Sequence, residues 1–93
     1  MTQEQKKQIR KRVYYYMETW YTREMELLRM HGDMREAWDK WGIKVEAHAR
    51  GLVDGIYFAD KKFAFRMLCF LNNLKWHWQQ VINREARRLR ETA

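Results

Sequence analysis

The sequence predicts an all-α protein, an elongated up-down-up bundle of three long helices forming one domain over residues 1–93. Apolar residues recur at alternating spacings of three and four along almost the whole chain, which is the helical period. Proline is absent and only four glycines occur, so little interrupts such a run. Three polar caps then divide the chain into segments of similar length. Ninety-three residues supply one small core, near the lower limit of folding without staples.

The first helix is expected over residues 3–30. Thr2 and Gln5 form a capping-box pattern. Behind it, Ile9, Val13, Tyr16, Trp20, Leu27 and Met30 draw one seam, widened by Tyr14, Met17, Tyr21, Met25 and Leu28. Gly32 ends it, and Asp33 with Glu36 reads as the cap of a second helix, over residues 34–58. That helix carries Met34, Trp38, Trp41, Val45, His48, Leu52, Ile56 and Ala59. Its weak point is GIKVEAHARGLVDGIYF, residues 42–58, where Ile43, Val45 and Ala47 alternate like a strand. The three-four spacing runs on without a phase change, so helix is expected, with any break near Gly51 to Gly55. Asp60 caps the third helix, residues 61–90, with Phe63, Met67, Phe70, Leu74, Trp78, Val81 and Leu89 on its seam. Short connections imply antiparallel neighbours, and helices of about 25 to 30 residues imply a length of about 40 Å.

The composition excludes several classes. A single cysteine cannot build a disulfide framework, and the start MTQEQKKQIRKR lacks the apolar stretch of a secretory signal. No uncharged run approaches the ~20 residues of a membrane span. These features predict a cytoplasmic protein. The net charge is +7, concentrated at the ends. Between residues 14 and 58 acids outnumber bases, eight to six.

No catalytic or cofactor motif is present. Cys69 and His77 lie eight residues apart on one helix, about 12 Å along its axis, too far to act as a pair. None of His31, His48 and His77 has a ligand-type partner three or four residues away, and no glycine-rich phosphate loop occurs. The expectation is a non-enzyme with neither metal nor cofactor. His48 falls on an apolar seam, level with Tyr16 on one side and Asn72 and Asn73 on the other. A buried polar layer of these four residues, fixing helix register, is the expected arrangement. Glu24 interrupts the first seam, and pairing with Lys40 or Lys44 is expected to explain it.

Two features point outward. Phe65, Leu68, Cys69 and Trp76 form a second apolar stripe on the third helix, nearly opposite its seam. A bundle helix buries one sector only, so this stripe predicts a protein partner, either another copy or a different and perhaps acidic chain. Ala47, Gly51, Gly55 and Ala59 recur every four residues, as though a backbone or a large side chain packs closely there. In the up-down-up arrangement Lys6, Lys7, Arg10, Lys11 and Arg12 share one end with Lys61, Lys62 and Arg66. This basic pole suits phosphates or an acidic protein. The resulting expectation is a small interaction protein (a regulator, adaptor or inhibitor of the phage or mobile-element kind) that binds a protein or protein–nucleic-acid complex. The alternative is a nucleic-acid-binding protein using its basic helix ends.

Overall fold

The computed structural model describes residues 1–92, with the side chains of Trp41 and Ile43 outside the described residues. The expected place of Trp41 on the second seam lies outside them too. Helix α1 spans Gln3–His31, a 3-10 turn follows at Gly32–Met34, and α2 is a single turn, Arg35–Trp38. Helices α3, Lys40–Gly55, and α4, Lys61–Thr92, complete the chain. No strand occurs among the described residues, so the fold is all-α. No helix among them is both long and apolar enough to cross a membrane.

The caps show how the chain is divided. Thr2 accepts a bond from the Gln5 amide while the Gln5 side chain accepts from the Thr2 amide, the reciprocal box the sequence announces. Gly32 ends α1 at φ 56°, a conformation that favours glycine, and its amide donates to the Leu28 carbonyl. Asp60 accepts from the Phe63 amide at 3.0 Å and starts α4. The expected second cap is corrected. Asp33 does not cap a helix; it pairs with Arg90 at 3.3 Å, and Glu36 reaches Arg35 at 3.9 Å.

The true start of α3 is Asp39, whose buried carboxylate accepts from the Gly42 amide at 2.6 Å. A Cβ at residue 42 would run into that carboxylate, so glycine is what admits the cap. The continuous helix expected over 34–58 is therefore broken at Asp39. Gly51 does not interrupt α3, and Gly55 is its final residue. Local capping chemistry outweighs an unbroken apolar period here.

That restart changes which residues face inward. The buried line of α3 is Val45, Ala49 and Val53, with Leu52 and Ile56 at its edge, while His48 and Ala59 are exposed. Met30, Met34 and Trp38, expected on seams, are exposed as well. The 3-10 turn runs at three residues per turn and carries Met34 and Trp38 out of phase, while Met30 lies before it in the last turn of α1. Trp38 stacks on His31 instead, ring centroids 4.8 Å apart.

On α4 the buried set is Phe63, Ala64, Met67, Leu71, Ile82 and Ala86, and Phe70, Leu74, Trp78, Val81 and Leu89 are half-buried. Because α4 contacts both α1 and α3, it buries a broad sector rather than a narrow stripe. Trp78 packs between Tyr14 and Tyr21 of α1, with centroids at 5.6 and 5.3 Å. Val13, Met17, Met67, Leu71 and Ile82 are wholly buried at the centre.

The molecule measures 51 × 21 × 17 Å, longer than expected because α4 alone has 32 residues. Lys6 pairs with Asp60 at 3.6 Å near one end, and Arg29 with Glu85 at 3.8 Å toward the other. Between α3 and α4, Lys75 donates to Glu46 at 2.7 Å and Arg50 to Asn72 at 3.1 Å.

Candidate interaction surfaces

The turn joining α3 to α4 shapes a broad concavity. After Gly55 the chain reverses in five residues, held by amides of Ile56, Tyr57, Ala59 and Asp60 bonded to carbonyls of residues 53, 54 and 56. Beside this turn lies a half-open groove of about 660 Å³. Val53, Tyr57, Ala64, Phe65 and Leu68 supply its apolar lining, and Asp54, Lys61, Lys62 and Arg66 its charges. Lys61 stands 5.7 Å from the centre of the Tyr57 ring, an attraction of cation and π-face. Phe58, at the apex of the turn, is 94 % exposed and meets Tyr57 edge-on at 5.4 Å.

Phe65 belongs to the groove and to the outer face of α4. It is 66 % exposed and Trp76 is 67 % exposed, with Cys69 also open between them. Leu68 differs from these three, because it is half-buried and packs against the core. Asn72 interrupts the face and accepts from Arg50.

The basic residues divide into two groups. Lys6, Lys7, Arg10 and Arg66 line a cleft of about 250 Å³ together with Gln3 and Phe63. Lys61, Lys62 and Arg66 border the apolar groove. Arg66 therefore belongs to both cavities, while the exposed Lys11 and Arg12 line neither. Lys6 lies 5.6 Å from the Phe63 ring centre and Arg10 5.5 Å from that of Phe70. The Phe63 amide bonded to Asp60 holds that carboxyl below its ordinary range; slight burial opposes this, and the Lys6 charge reinforces it.

Several expected roles need correcting. His48 is exposed, as are Asn72 and Asn73, so the four residues do not make a buried polar layer. His48 stacks on the half-buried Tyr16 at 6.3 Å, at the rim of the α1–α3 seam. The small Ala49 occupies the buried position beside it. Ala47, Gly51, Gly55 and Ala59 are exposed, and a Cβ added at Gly51 or Gly55 would meet nothing within 4 Å. Among the described residues nothing packs closely on Gly51 or Gly55. Glu24 is buried, and its partner is Arg35 at 3.5 Å rather than Lys40 or Lys44. The 3-10 turn after α1 brings α2, and Arg35 with it, back against α1.

Sequence reasoning missed a mixed-charge cleft of about 290 Å³ formed by Trp20, Glu24, Arg35, Glu36, Asp39, Glu46, Lys75 and Gln79. Burial pulls the Glu46 carboxyl upward, but hydrogen bonds from Lys75 and Arg50 outweigh it and leave the group below its ordinary value. No group of three His, Cys, Asp or Glu residues placed to hold a metal ion occurs among the described residues. No protein-family model, curated protein or solved structure significantly matches this chain.

Proposed function

We propose that the protein is a small, non-enzymatic interaction protein of the cytoplasm, a regulator, adaptor or inhibitor that acts by binding another protein. The observation that carries this reading is the groove beside the α3–α4 turn, with Phe65 on its edge mostly exposed and Trp76 exposed farther along α4. A small chain gains nothing for its own stability from aromatic rings left in water, and contiguous exposed apolar surface is a mark of association. The up-down-up reading is supported by the ion pairs near both ends of α1 and α4 and by the staggered links from α3 to α4. In that arrangement the groove and the basic cleft share one end.

A second reading rests on a different observation, the cleft of Lys6, Lys7, Arg10 and Arg66, which suits phosphate oxygens. Affinity capture from the native host, with and without nuclease, separates the two. A protein retained after nuclease treatment and lost with Phe65→Glu supports the first. Retention that vanishes with nuclease and with Lys7→Glu overturns it in favour of nucleic acid.

A further inference from the structure

Resting on the reading of an interaction protein, we propose that the groove beside the α3–α4 turn takes an acidic amphipathic helix of a partner protein, apolar residues inward and carboxylates toward Lys61, Lys62 and Arg66. The groove is half-open, so an occupant extending beyond it suits the shape better than an enclosed small molecule. Beyond it on α4 stand the exposed Cys69 and Trp76, with the polar Asn72 between them. Phe65 and Trp76 stand eleven residues apart on one helix, about 16 Å along the axis. A partner helix of about three turns covers that distance and presents one apolar stripe at the required spacing.

Charge selects among occupants. Three cations border the groove against one carboxylate, Asp54, and Lys62 and Arg66 make no ion pair among the described residues. The whole chain carries +7. A second copy laid symmetrically in the groove sets these cations against their own kind, which opposes association. A nucleic acid satisfies the cations and can stack bases on Phe65 and Tyr57, but it gains little from the aliphatic part of the lining, Val53, Ala64 and Leu68. An acidic amphipathic helix answers both, its charges setting encounter rate and orientation and its apolar residues filling the groove.

The test uses a phage-displayed library of random peptides of about sixteen residues, selected against the full chain. Enriched sequences are expected to be net negative, with apolar residues spaced three and four apart. Their synthetic forms should lose at least tenfold in affinity with Phe65→Glu, and again with the triple change Lys61→Glu, Lys62→Glu and Arg66→Glu. Their binding should also weaken as salt rises. Circular dichroism establishes that each variant keeps its helices. Neutral or basic enriched sequences, or failure to enrich any, overturn the proposal. So does binding that Phe65→Glu leaves intact; if Lys7→Glu removes that binding, the interaction-protein reading stands and only the groove assignment falls. Sedimentation of the unmodified chain gives the remaining arm: dimers that Phe65→Glu dissociates would make a second copy the occupant.

Discussion

Asp39 and Gly42 show how much two residues decide. The carboxylate caps α3 through the Gly42 amide, and the space it occupies is the space a side chain at 42 needs. Gly42→Ala is therefore expected to destabilise the protein by up to about 1 kcal/mol, since losing a cap costs ~0.5–2 kcal/mol and alanine's better helix propensity offsets up to ~1 kcal/mol of it. Thermal melts check this, and a stabilised variant would mean the cap survives. Glu46 makes a second residue-scale case. Its carboxyl, bonded to Lys75 and Arg50, lies below its ordinary value of 4.5 in the folded chain. A lowered carboxyl contributes stability that is complete above the unfolded value and is lost as pH falls through the folded one. Glu46→Gln should cost about 0.5–1 kcal/mol at neutral pH, the modest worth of a solvent-touched pair. Denaturant titrations should show that difference vanish once the pH is well below 4.5.

Among the elements, α3 is the least rigidly determined by its own sequence. It is half the length of α4, contains three of the four glycines and depends on α1 and α4 for its buried face. Gly51 lies inside it with open space where a Cβ would go. Gly51→Ala should then stabilise the protein by about 0.5–1 kcal/mol, opposite in sign to the same change at Gly42. A rise in melting temperature checks it. Unchanged or lowered stability would point to a close contact at that face, which the small residues Ala47, Gly51, Gly55 and Ala59 led the sequence analysis to expect.

At the scale of the whole molecule, interior and exposed apolar side chains separate on one helix. Met67 and Leu71 are wholly buried, whereas Phe65 and Trp76 stand mostly in solvent. Met67→Ala and Leu71→Ala should each destabilise by about 2–5 kcal/mol. Trp76→Ala should change stability by no more than about 0.5 kcal/mol, as surface substitutions do. Chemical denaturation of the three variants decides it; a Trp76→Ala protein that melts as early as Met67→Ala would place Trp76 in the core. Phe70, by sequence the obvious core control, is a poorer one because it is half-buried beneath Arg10.

By itself the sequence determined the helical class, the start and end of α1, the capped start of α4 and the residues available for an exposed apolar face. These follow from local chemistry: periodicity, a capping box, a glycine that takes positive φ, and an aspartate three residues before a free amide. The Thr2–Gln5 box and the Asp60 cap needed no knowledge of the rest of the chain. Only the tertiary structure decided which face of α3 is buried, because a single displaced start at Asp39 rotates everything after it. That displacement moved His48 to the rim, while the tight turn before it gave Glu24 an arginine eleven residues away and left Met34 and Trp38 outside. The groove was illegible for the same kind of reason. Val53 and Phe65 come together only when the five-residue turn folds α4 back beside α3, a proximity that neither helix's period encodes.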